Sequence, residues 1–116
     1  MTSAGTTERR PIDDYESVIE WEKSFRNFWR TEGPPQEWKD ALDRFVSFCE
    51  AEPDDIIDEV LRPTPTGEGL LLRTRARRKY IRLIYEFEEQ EDRFAANGVR
   101  SFMIHNGVAM TPTILR

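Results

Sequence analysis

Leu70–Glu89 reads LLLRTRARRKYIRLIYEFEE. Wound at 3.6 residues per turn, it gathers Ala76, Tyr80, Leu83, Ile84 and Phe87 on one side and Arg75, Arg78, Lys79 and Arg82 on another. One stripe is core material and the other a row of cations. The stretch therefore predicts an amphipathic surface helix that begins in the basic segment and runs to about Gln90. It holds six basic residues and no acid between Leu70 and Tyr85, in a chain of net charge −5. The remaining sequence has eleven basic residues against 22 acidic ones, so a partner of this helix meets a local positive field rather than the acidic average.

The flanking segments keep the helical period. Val18, Trp21, Phe25, Phe28 and Trp29 recur at spacings of three and four and predict a first helix from about Asp14 to Thr31, stopped by Gly33-Pro34-Pro35. Trp38, Ala41, Leu42, Phe45, Phe48 and Cys49 predict a second from about Gln36 to Ala51. Pro53 ends it and opens a short third helix, PDDIIDEVLR, whose Asp54 and Asp55 suit the positive end of the helix dipole. Its inward residues are Ile56, Ile57, Val60 and Leu61, and the PTPTGEG that follows is a loop. Asp92–Asn106 is a fifth helix, closed by Gly107 as a left-handed terminator with Val108 packing back on the last turn. Gly98 inside it marks either a close helix contact or a break between the fourth and fifth helices. No segment alternates with period two. The chain reads as all-α, a compact bundle of four to five short helices over residues 13–110, between a flexible tail at 1–12 and a tail or linker start at 111–116.

At 116 residues, with three Trp and seven Phe, the chain can bury one core, and its 34% charged residues describe the surface of a folded domain. No apolar run approaches the roughly 20 residues needed to span a bilayer. MTSAGTTERR lacks the apolar centre of a signal peptide, and the single cysteine, Cys49, makes no internal disulfide, which fits a reducing cytoplasm.

Each arginine of the basic stripe offers a planar fork of donors that matches phosphate oxygens or the O6/N7 edge of guanine. Arg75, Arg78, Lys79 and Arg82 would make about four contacts with duplex DNA, with Arg73 and Arg77 at the flanks. Lys39 and Arg44 of the second helix are further candidates, although Asp40 and Asp43 adjoin them. The competing reading is a solvated face, neutralised by EFEEQED through i,i+4 pairing, or one that docks on an acidic partner protein. A membrane surface is disfavoured because the apolar stripe is needed for the core.

Other chemistry-bearing residues point to no active site. His105, the only histidine, has no Cys, Asp or Glu at ligand spacing, and Cys49 sits on an apolar stripe. Asp54, Asp55, Asp58 and Glu59 lack the alternating ligands and glycine of a calcium loop and read as a solvated acidic face. No phosphate loop, dinucleotide fingerprint or nucleophile elbow is present. Neither a metal, a cofactor nor a small-molecule substrate is expected.

The order of these pieces resembles a known family. WKDALDRFVSFCEAEPDDIIDEV, the basic helix ending in YIRLIYEFEE and the closing RFAANGVRSFMIHNGVAM are similar to the N-terminal core-binding (SAM-like) domain of tyrosine recombinases of the phage-integrase type. The resemblance covers roughly Asp14 to Met110. It implies a bundle of four or five helices forming one half of a clamp on duplex DNA, for site-specific recombination or DNA integration. In that family the catalytic residues belong to a separate C-terminal domain, so the resemblance implies a non-catalytic chain, with TPTILR as the start of a linker. Its implied partners are double-stranded DNA, other recombinase protomers and a catalytic domain, and its implied place is the cytoplasm, at the nucleoid when bound. A helical protein-interaction module and a degenerate integrase fragment are the alternatives.

Overall fold

The computed structural model describes residues 10–67 and 69–110, so most of the tail at 1–12 and all of 111–116 lie outside the described residues. The described residues hold five α-helices and one two-stranded sheet: α1 (Glu16–Trp29), α2 (Gln36–Cys49), α3 (Pro53–Val60), β1 (Leu61–Pro63), β2 (Leu70–Leu72), α4 (Thr74–Gln90) and α5 (Arg93–His105), with a 3-10 turn at Ile12–Asp14 ahead of them.

The helix limits follow local chemistry. α1 ends two residues short of the expected Thr31, because Arg30 takes a left-handed φ of 59° and its N–H bonds back to Arg26 O at 2.8 Å. Glu50 closes α2 in the same way, at φ 57°. Tyr15, at the N-cap of α1, offers no side-chain cap. The gap is filled from the first turn of α3, where Asp54 Oδ1 accepts from Ser17 N at 2.8 Å and from Ser17 Oγ at 2.6 Å. Asp92 caps α5, accepting from Ala95 N at 2.8 Å.

The far end of α5 is a Schellman closure. Gly107 sits at φ 96°, where a side chain would be strained, and its N–H bonds to Ile104 O. Val108 N bonds to Met103 O at 2.9 Å, and its side chain is fully buried, as the sequence predicts.

α5 is the central helix, packed on α1, α2 and α4. Its Val99, Phe102 and Met103 meet Val18 and Trp21 of α1, Leu42 and Phe45 of α2, and Ile84 and Phe87 of α4 in one buried cluster. Trp21 lies edge-on to Phe102 and donates from Nε1 to Ser101 Oγ at 3.0 Å, which satisfies its buried N–H. Gly98 marks a close contact, not a break. A Cβ built there would stand 2.6 Å from Trp38 Cγ, so α2 and α5 approach only because the position has no side chain.

Two expectations are corrected. The chain is not wholly α: Leu70–Leu72, expected to begin the fourth helix, form β2, antiparallel to β1 with Leu61 opposite Leu72, Arg62 opposite Leu71 and Pro63 opposite Leu70. Strands of three residues are too short to display a period of two, which is why the pattern misses them. The apolar stripe of α1 also divides. Val18 and Trp21 are buried, but Phe28 and Trp29 are 70% and 56% exposed because no element among the described residues covers the last turn.

Candidate nucleic-acid interface

α4 delivers the predicted cations to three different environments. Lys79 turns toward α3, where its Nζ lies 2.6 Å from Glu59 Oε2, and Tyr80 donates to Glu59 Oε1 at 2.6 Å. Burial alone would raise the Glu59 pKa, but the hydrogen bonds and charge of Lys79 and Tyr80 outweigh it and hold the carboxyl below its ordinary value. Burial and the same carboxylate push the Tyr80 phenol well above its ordinary range. Arg77 bonds through Nε to Ala109 O at 2.7 Å and fastens the chain that follows α5.

Arg75, Arg78 and Arg82 lie on the outer side, all exposed, with exposed Arg73 at the start of the helix. Arg82 reaches Glu86 only at 3.8 Å. Arg73, Arg75 and Arg78 have no ion-pair partner among the described residues. The acidic run after the stripe is committed elsewhere. Glu88 takes Arg100 at 2.8 Å and Arg93 at 3.4 Å, both from α5, and the Arg100 hydrogen bond holds its pKa low. Glu91 receives both arms of Arg44 at 3.0 Å, and Asp92 is spent on its cap. EFEEQED thus commits Glu88, Glu91 and Asp92 to other partners, turns Glu86 toward Arg82 and leaves Glu89 exposed on the helix.

The α2 candidates do not join this face. Lys39 is clamped between Glu22 Oε2 at 2.6 Å and Asp13 Oδ1 at 3.0 Å, with a side chain only 15% exposed. Burial would lower its pKa, yet the two carboxylates win and the group stays charged above its ordinary value. Arg44 is held by Glu91 in a bidentate fork. The acidic quartet also changes meaning, since Asp54 and Glu59 are structural acceptors inside the fold.

Two surfaces escaped the sequence pattern. One is the β1–β2 ribbon, which carries exposed Arg62 and exposed Leu70, Leu71 and Leu72 to the start of the basic helix. The other is an apolar groove of about 700 Å³ lined by Phe25, Phe28, Trp29, Trp38 and Ile104. His105 sits on its wall with Nδ1 2.8 Å from Ser24 Oγ, and burial lowers its pKa. An aromatic at the end of a helical stripe reads as core from spacing alone, and only the position of the neighbouring helices shows that it is uncovered.

Cys49 is half-buried, and burial pushes its thiol up to about 12, which suits packing and not nucleophilic chemistry. Among the described residues no group of His, Cys, Asp and Glu is placed to hold a metal ion, and no helix is long and apolar enough to cross a membrane. The chain matches no protein-family model, no curated protein and no solved structure.

Proposed function

We propose that this protein is a non-catalytic DNA-binding domain of the kind its sequence resembles, the core-binding half of a tyrosine recombinase clamp, and that it grips duplex DNA through the outer face of α4. The observation that carries the reading is the uncommitted state of Arg75 and Arg78. They stand exposed one turn apart on a rigid helix, without an ion pair among the described residues, while neighbouring charges are tied down by partners of their own. Arg73 and Arg82 extend the row at its two ends. Lys79 and Arg77 hold the helix in place, and Lys39 and Arg44 fall outside the interface. Phosphate contact supplies the affinity in this reading, and the forks of Arg75 and Arg78 supply limited base readout. A clamp domain of this kind works in the cytoplasm at the nucleoid and acts together with other protomers and a catalytic domain.

A second reading, a helical protein-interaction module, rests on a different observation, the exposed Phe28 and Trp29 beside the apolar groove. Fluorescence anisotropy with a labelled duplex, titrated with salt, separates the two. Four phosphate contacts give a log–log slope of about −3 to −4. The Arg75→Glu, Arg78→Glu variant keeps its helical circular dichroism and loses binding. If the wild type binds duplex DNA at low salt no better than that variant, the DNA reading of this face is wrong.

A further inference from the structure

The β1–β2 ribbon is the part of the surface whose composition the proposed DNA grip leaves unused. Leu70, Leu71 and Leu72 are 66%, 51% and 42% exposed, a run of three apolar side chains in water. Successive residues of a strand point to opposite faces. Leu61 is packed against the core, with Cδ1 3.5 Å from where a Cβ on Gly107 would stand, so the face it shares with Leu72 looks toward the globule. The other face carries Arg62 opposite Leu71 and looks away from it. That outward face pairs an arginine fork with an apolar side chain, and Arg62 has no ion pair among the described residues. Arg73 N bonds to Val60 O at 2.7 Å where β2 passes into α4, so the ribbon and the basic helix share one rigid junction.

Two properties select the occupant. The surrounding charge is positive, from Arg62, Arg73, Arg75 and Arg78, which calls for a polyanion. The leucines lie along the strand next to the helix, whereas the turn beyond them carries Thr64, Pro65, Thr66 and Gly67. A flat lipid surface met turn-first would receive those polar residues before any leucine. A groove takes a ribbon lengthwise, and the DNA major groove, about 12 Å wide, admits a two-stranded ribbon. Its floor also offers the two chemistries that the outward face matches: guanine O6/N7 for an arginine fork, and the 5-methyl of thymine for an apolar side chain.

We propose that the β1–β2 ribbon is a base-reading element, lying in the major groove with Leu71 against a thymine methyl group and Arg62 beside it, while the arginines of α4 grip the adjoining duplex. This rests on the DNA reading of α4 and adds a preference for thymine methyls to the limited base readout of Arg75 and Arg78.

Replacing thymidine by deoxyuridine removes the methyl and leaves the Watson–Crick edge intact. Short duplexes of alternating dA·dT, alternating dA·dU and alternating dG·dC are compared by anisotropy at one salt concentration. The wild type binds dA·dT more tightly than dA·dU, about fourfold for each methyl covered. The Leu71→Ala variant, whose change falls on an exposed residue, binds dA·dT and dA·dU equally with an unchanged salt slope. Equal wild-type affinity for dT and dU duplexes overturns the ribbon proposal and leaves the α4 grip standing, a result that needs no variant to fold. Absence of binding to every duplex at low salt overturns the α4 reading and the ribbon proposal with it. Binding to phosphatidylserine vesicles that the leucine variant loses, with no methyl discrimination on DNA, assigns the ribbon to a lipid surface and overturns the proposal.

Discussion

Arg78 and Lys79 are neighbours in the chain and opposites in what holds them. Lys79 closes a clasp with Glu59 and Tyr80 that joins α4 to α3, and Arg78, one step around the helix, has no such partner among the described residues. The same division runs through the molecule. On the inner side, charges and glycines are consumed by packing: Lys39 between two carboxylates, Arg44 on Glu91, Gly98 under Trp38. On the outer side of α4 and on the ribbon, cations and leucines face solvent. Substitution on the inner side should therefore be read in stability, and substitution on the outer side in affinity.

The strongest test of the inner side is Gly98→Ala. The new methyl would meet Trp38 Cγ at 2.6 Å and Cβ at 2.9 Å, and an indole wedged between helices has little room to yield. Overpacking of this kind destabilises by about 1–3 kcal/mol. Chemical denaturation should show the midpoint falling, with DNA affinity per folded molecule unchanged. A variant as stable as the wild type would mean that α2 and α5 are not in close contact.

Glu59→Gln tests the clasp. The Glu59 pKa lies below its ordinary value of 4.5, so the stability it contributes is complete above that value and is lost as pH falls through the lower folded-state pKa. Thermal melts of the wild type should lose Tm on acidification in that window, and the Gln variant should lose less because the charge is already gone. The group is partly exposed, and solvent screening keeps the effect modest.

Smaller again is Tyr15→Phe. The Tyr15 hydroxyl is buried without a hydrogen-bond partner among the described residues, so removing it should leave stability unchanged or raise it by up to about 1 kcal/mol. A clear loss in a melt would show that the hydroxyl is satisfied by water. The smallest stability effect belongs to the outer face. Arg78→Ala should leave Tm unmoved while weakening duplex binding and reducing the salt slope by about one. If that substitution lowers Tm as Glu59→Gln does, the division between inner and outer charge collapses.

Much of this division was legible in the pattern of residues, and the illegible part has a common cause. Helical spacing named Tyr80, Ile84 and Phe87 as buried and Arg75, Arg78 and Arg82 as outward, because both depend on one helix and its period. It also assigned Lys79 to the basic stripe. The angle is right, but Glu59 reaches that edge from α3, and a period carries no information about a neighbouring helix. Lys39 and Arg44 are held in ion pairs that their own helix does not reveal for the same reason, since their partners Glu22, Asp13 and Glu91 come from elsewhere in the chain. Phe28 and Trp29 fit the α1 stripe by spacing and are exposed because no element among the described residues covers them, and the leucines of β2 were absorbed into a helix whose start they precede.

The sequence by itself determined five helices, the Gly107–Val108 closure and the segregation of positive charge into one helix. These rest on local periodicity, capping and composition, which are properties of short segments. Only the tertiary structure decided which cations are spent and which are free, why Gly98 has no side chain, and that three leucines stand in solvent beside the basic helix. Each of those is a relation between segments far apart in the chain, fixed by how helices pack and not by the residues of any one of them.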